Sequence, residues 1–284
     1  MEGPLLGPDG AYHLLFMWRR SPDCTTNHRL SYARSTDLVH WESAHGSPLR
    51  LPITYDATAC VVDDVPSGGG LINIAMTIGF DAHHRVLLGY HKYHLPSNTS
   101  QLYLARFQPR RQTWLIAQQT RWPTYRWNFH GKGSIVEEIS LEPPVPVPFT
   151  TTTSALGLPA THRVTFPFYR LDVGRRQVVS DGISLNPIEE SAAPDRYPSA
   201  VMDQTPSAKR QGLMVNIISD AGEVHAQTHT HAHAHTHTQT HTYTQVYLLR
   251  WETQRHNRDV SRRGAARLAP EMLRLYEIRK HTCY

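Results

Sequence analysis

Apolar and β-branched residues come in short runs along this chain, each bounded by Gly, Pro, Asp or Asn, and helical spacing is scarce. Strands are predicted over residues 11–18, 29–34, 71–80, 86–93, 101–107, 114–119, 134–141, 162–171, 213–219, 247–251 and 273–278. In the run 86–93 a period of two places His91 and Tyr93 on one side and Lys92 on the other, where solvation of Lys92 is expected.

Two of these runs echo each other. Leu30-Ser31-Tyr32-Ala33-Arg34 leads through a polar turn to Trp41, and Leu102-Tyr103-Leu104-Ala105-Arg106 leads through another to Trp114. Each follows a strand introduced by a turn, Gly7-Pro8-Asp9-Gly10 in the first case and Asp81-Ala82-His83-His84 in the second. A repeated strand, turn, Tyr-bearing strand and Trp describes an all-β fold, a β-propeller of four-stranded blades, in which radial repetition protects the strand edges. A β-sandwich is the alternative.

With 284 residues the chain suits one β domain, residues 1–284. Residues 142–160, rich in Pro and Thr, are expected to form an irregular loop. Residues 225–244 alternate His and Thr with a few Ala and Gln. Such a tract can bind metal, but a CA dinucleotide repeat read in frame also encodes His-Thr, so a low-complexity insertion between two strands, or translated non-coding sequence, is the expected reading. The net charge of +5 is spread without basic runs, which disfavours nucleic acid and suits an acidic ligand. Cys24, Cys60 and Cys283 are widely spaced and predict neither a disulfide framework nor a zinc ribbon. No apolar run is long enough to span a membrane and no signal peptide is visible. Asn98-Thr99-Ser100 is a glycosylation sequon that matters only in a secreted product.

Several runs together resemble the BNR-repeat-containing seven-bladed propellers related to ulvan lyases and rhamnose-glucuronate lyases. They are residues 12–19 and 27–42, Gly68-Gly69-Gly70-Leu71-Ile72-Asn73, Gly89-Tyr90-His91-Lys92-Tyr93, Tyr125-Arg126-Trp127, and Arg250-Trp251-Glu252-Thr253 with Asn257-Arg258-Asp259. The matches lie mostly before residue 141 and after residue 245. The resemblance implies secretion, a possible structural divalent cation, no other cofactor, and a monomer acting on an acidic polysaccharide or oligosaccharide. Relatives carry further strands ahead of the Tyr12 segment, so a ring truncated at its N-terminus is expected; residues 142–210 match poorly, so a damaged blade is expected there.

Eliminative cleavage of a uronate glycan needs a group that neutralises the C6 carboxylate, a base for the C5 proton and an acid for the departing O4. His91 and Tyr93 are the candidate base and acid, with Tyr125 as an alternative acid. Arg126 is the candidate neutraliser because its planar fork can bind a carboxylate bidentately. His28, Asn73, Arg250 and Arg258 are candidate substrate contacts. Each has a plainer reading: His91 and Tyr93 as rings packed between blades, Arg126 as an ion pair with Glu137 or Glu138, His28 as a turn residue. A glycoside hydrolase is the second reading, with Asp37 and Glu42 in a propeller-like run, but Asp63-Asp64 and Glu137-Glu138 are adjacent pairs that a strand would send to opposite faces. A non-catalytic carbohydrate-binding or inactive fragment is the third.

Overall fold

Strands β1 (Glu2–Leu6), β2 (Tyr12–Arg19), β3 (Asn27–Ser35), β4 (Trp41–Glu42) and β5 (Pro48–Leu49) form an antiparallel meander. Asp residues shape its turns: Asp9 accepts from the Ala11 amide at 3.2 Å, and Asp37 accepts from the Val39 and His40 amides at 2.9 and 2.7 Å. Such carboxylates mimic a backbone turn. A sixth strand, β6 (Val61–Asp63), pairs with β3 at Leu30 and Ser31, while β4 pairs with it at Arg34 and Ser35. The place beside β3 is therefore shared by two short strands.

The second sheet repeats the plan with β7 (Met76–Phe80), β8 (Val86–His94), β9 (Thr99–Gln108) and β10 (Thr113–Gln118). Asp81 holds its first turn through the His83 and Arg85 amides at 2.9 and 3.0 Å. The sequence echo is thus a structural one, with Ala33 in β3 and Ala105 in β9, then Trp41 in β4 and Trp114 in β10.

A third sheet contains β11 (Ile139–Leu141), β12 (Val145–Pro146), β13 (Arg163–Arg170), β14 (Gly174–Asp181) and β15 (Pro187–Ala192). Strands β13 and β14 pair without interruption from Arg163 opposite Asp181 to Arg170 opposite Gly174. Of the region 142–210 expected to hold a damaged blade, this sheet takes up most of the described residues, and residues 148–162 and 194–210 lie outside them. Two predicted strands shrink: of 71–80 only Met76–Phe80 is extended, and of 134–141 only Ile139–Leu141.

The computed structural model describes residues 1–133, 135–147 and 163–193, and the backbone of five later strands. The chain divides into two compact units, residues 1–195 and 196–284. In the second, β16 (Leu213–Asp220) pairs with β19 (Gln245–Glu252), which pairs with β20 (Arg274–Ile278). Between β16 and β19 run β17 (Val224–Thr230) and β18 (Thr236–Thr242), which pair with each other and carry the His/Thr tract. Of the predicted loop, residues 148–160 lie outside the described residues, and Val145–Pro146 forms β12.

Two apolar layers sandwich the second sheet. Leu88, Tyr90, Tyr103 and Ala105 pack with Leu15, Leu30 and Tyr32 of the first sheet. Leu87, Leu102 and Leu104 pack with Val164, Phe166, Phe168 and Val178 of the third. The period-two alternation of β8 and β9 sorts these residues to the two faces. Gly89 leaves room for the third sheet: a Cβ there would stand 2.7 Å from the Phe166 ring.

Polar groups also tie the second sheet to the third. Buried Arg106 donates to the Gly182 and Ile183 carbonyls. Buried Gln119 donates to the Leu185 carbonyl at 2.8 Å and accepts from the Ser180 hydroxyl at 2.5 Å. Gln119→Leu strands both partners away from water, so a loss of about 1–3 kcal/mol is expected in urea titrations; an unchanged midpoint would contradict the network.

Candidate functional site

Successive strands are antiparallel, so the loops 20–26, 64–75, 95–98 and 119–138 emerge at one end of the first two sheets. Backbone bonds lash them together: Cys24 N to Gly131 O at 2.8 Å, Gly68 N to Thr25 O at 2.8 Å, Tyr93 N to Gly69 O at 2.8 Å and Ser100 N to Tyr125 O at 2.9 Å. Gly70, at φ +89°, sits where a Cβ would stand 2.7 Å from the Tyr93 ring. The triple glycine is what lets this loop lie flat on β8.

His91 is fully buried at the base of these loops. Its Nδ1 lies 2.7 Å from the Gly70 carbonyl, which can only accept, so Nδ1 carries the proton and Nε2 a bare lone pair. Nε2 is buried without a partner among the described residues. The rings of Tyr93, Trp127 and Phe129 stand around it at 5.6, 5.7 and 6.2 Å between centroids. Burial pushes its pKa down to about 4; the Gly70 bond opposes this and the Arg126 charge reinforces it. The imidazole is therefore neutral at neutral pH.

Tyr93 bridges His91 to Arg126. Its hydroxyl donates to the Trp127 carbonyl at 2.7 Å, and burial raises its pKa. The Arg126 guanidinium carbon lies 3.6 Å from the Tyr93 ring centre, a cation–π contact. Arg126 Nε donates to Asn128 Oδ1 at 2.8 Å, and Nη1 donates to the Asn98 carbonyl at 2.5 Å and to Asn98 Oδ1. Nη2 has no protein partner among the described residues. The result is a cation fixed in place with one nitrogen available to a ligand carboxylate. Its expected alternative, an ion pair with Glu137 or Glu138, is not what holds it: Asn98 and Asn128 do.

The other candidates separate from this group. Tyr125 donates to Glu138 Oε2 at 2.9 Å, and its pKa is raised by burial and then by that bond. Asn73 is exposed in the tight turn closed by Ala75 N to Ile72 O at 3.1 Å. His28, expected at the ligand level, is buried, pairs its Nδ1 with the Thr26 carbonyl at 2.9 Å and packs on Tyr55. Arg250 falls in β19 opposite Val215 and Arg274, with its side chain outside the described residues, as is all of Arg258. Lys92, expected in solvent, is instead paired with Asp63 Oδ2 at 2.5 Å.

The carboxylates considered for hydrolysis all have structural partners. Asp37 is held ionised by the His40 ring and by turn amides, which keep it well below the usual carboxylate range. Glu42 pairs with Arg34 at 2.7 Å, and Asp64 with Arg29 at 2.9 Å. Among the described residues no group of three or more His, Cys, Asp or Glu side chains is placed to hold a metal. The divalent cation implied by resemblance thus finds no donor set there and enters no step below. No helix among the described residues is long and apolar enough to cross a membrane.

Sequence reasoning missed Asn98, Trp127, Asn128 and Phe129 as the frame of this site. The Gly68-Gly69-Gly70 run was the available signal, since glycine marks close backbone approach.

Comparison with known proteins covers part of this picture. Residues 1–122 match the family described as BNR repeat-containing family member. That span holds the first two sheets with His28, Asn73, His91 and Tyr93, and stops short of Tyr125 and Arg126. No curated protein matches the chain. Among solved structures, an endo-arabinase from Bacteroides thetaiotaomicron aligns with a TM-score of 0.36 at 11% identity, over 96% of this chain and 72% of that one.

Proposed function

We propose that this protein is a carbohydrate-acting propeller protein whose loop end holds a uronate-containing polysaccharide or oligosaccharide and cleaves it by β-elimination, with glucuronate as the uronate. The observation that supports this most is the stack of Arg126 on Tyr93 with neutral His91 beyond it. The C5 proton of a uronate becomes removable only when its carboxylate charge is neutralised, and Arg126 offers a positioned cation for that. The lone pair of His91 Nε2 accepts the C5 proton, the C4=C5 double bond forms, and O4 leaves with the Tyr93 hydroxyl proton. Because His91 is sealed, contact with substrate requires the Trp127 and Phe129 wall to open.

That same sealing favours a second reading, glycan binding without cleavage. Incubation with ulvan or a gum-arabic-type glycan separates the readings. Rising ultraviolet absorbance from an unsaturated uronate supports elimination; new saturated reducing ends without absorbance support hydrolysis; retention of the glycan with neither signal supports binding alone.

Arg126→Gln is expected to weaken retention of acidic glycan by about 10- to 100-fold, the range for one charged hydrogen bond. Wild-type binding is also expected to weaken with added salt. Affinity electrophoresis in gels containing the glycan reads both effects, and equal mobility of variant and wild type would remove Arg126 from the site.

A further inference from the structure

On the face of β8 opposite His91 lies a groove of about 300 Å³ between the loop 64–75 and the β8–β9 turn. That is the low end of the roughly 300–1,000 Å³ typical of ligand pockets, enough for one small ring system. Its walls are apolar where Val65, Pro66 and Pro96 line them. At its polar end Lys92 Nζ lies 2.5 Å from Asp63 Oδ2 and 4.4 Å from the Tyr103 ring centre, and Tyr90 donates to the same Asp63 oxygen at 2.6 Å.

These bonds leave three groups unspent. Asp63 Oδ1, the remaining N–H bonds of Lys92 and the Tyr103 hydroxyl have no protein partner among the described residues. Tyr103 stays protonated, its pKa pushed up to about 12 by burial and by the Asp63 charge, so its hydroxyl is a donor as well as an acceptor. Asp63 Oδ1 can only accept, and Lys92 can only donate.

We infer that this groove binds a neutral pyranose through two adjacent hydroxyl groups. A vicinal diol offers a donor and an acceptor a bond's reach apart, which matches a carboxylate oxygen beside an ammonium. The C–H faces of the ring match the Val65, Pro66 and Pro96 walls. Charge decides against a uronate here, because the Asp63–Lys92 pair is neutral as a whole and adds no net attraction for an anion. Tyr93 reaches the end of this groove, while neither Arg126, which stacks on that ring, nor His91 lines it. The assignment does not rest on the uronate reading.

Saturation-transfer NMR on the full chain tests it, with methyl glycosides of galactose, mannose and rhamnose as neutral probes and sodium glucuronate in parallel tubes. Transfer to at least one neutral glycoside is expected. Tyr103→Phe removes only the phenol hydroxyl, and it is expected to weaken that response roughly five-fold, the worth of one neutral hydrogen bond. Asp63→Asn is expected to weaken it as well, while the glucuronate response is unchanged in Tyr103→Phe. Absence of transfer to every neutral glycoside from folded protein overturns the inference, as does a response equal in wild type and both variants, or a Tyr103→Phe loss shared equally by glucuronate. A neutral response without a glucuronate response supports the groove and sinks the uronate reading instead.

Discussion

Phe166→Ala is expected to lower stability by about 3–5 kcal/mol, the range for truncating a buried aromatic residue. Domains of this kind are stable by only about 5–15 kcal/mol, so the loss is a large fraction of the total. The ring is fully buried in β13, and the bare backbone of Gly89 admits it against the second sheet. Two sheets close on this contact, so the cavity cannot collapse without moving one of them. The converse change, Gly89→Val, pushes a side chain into the Phe166 ring and the Thr77 methyl, which stand 2.7 and 2.9 Å from a Cβ at that position. It is expected to destabilise too, by about 1–3 kcal/mol. The double variant is expected to lose less than the sum of the two single losses, because the valine fills space the ring has left. Urea midpoints of the four proteins check this, and strict additivity would mean that the two residues do not touch.

Acidification from pH 7 to pH 4 is expected to remove roughly 3 kcal/mol of stability through His91 alone. In the unfolded chain the imidazole titrates at its ordinary value near 6.5, whereas in the fold burial pushes it down to about 4. Between those values the unfolded state holds a proton that the folded state refuses. Stability therefore rises with pH across this window, is fully present above about 6.5, and is lost as pH falls towards about 4. His91→Gln keeps a donor for the Gly70 carbonyl and has nothing to titrate there. Denaturant unfolding at pH 7 and pH 4 is expected to show a smaller acid loss in this variant than in wild type, by about that amount. An equal loss in both would place the acid sensitivity elsewhere, among the carboxylates.

Much of the fold could be read from neighbouring residues. Strands β2, β3, β8, β9 and β13 follow from period-two alternation and bounding turn residues, and the echo of a Tyr-bearing strand that ends in Ala-Arg and leads to Trp marks equivalent places in the first two sheets. Strands β4 and β6 escaped, because two or three residues carry no period to detect. Strand β14 escaped because Arg175, Arg176 and Gln177 mask its alternation. In the predicted strand 71–80 the apolar Leu71 and Ile72 are buried, yet they sit in a loop whose preceding glycines drape it over β8.

The candidate site divides along the same line. Alternation along β8 already separated His91 and Tyr93 from Lys92, since a side chain's face follows from its place in the strand. Its partners were beyond reach of any local rule. His91 meets Gly70 across 21 residues, Arg126 meets Asn98 across 28, and Lys92 meets Asp63 across 29. Burial of His28 likewise depends on Tyr55 arriving from another loop. Local spacing along the chain sets secondary structure and facing, because those depend on backbone geometry over a few residues. Which nitrogen is left bare, which cation is neutralised and which ring is sealed depend on loop closure over tens of residues, where each contact is stable only when the sheets beneath it are already packed.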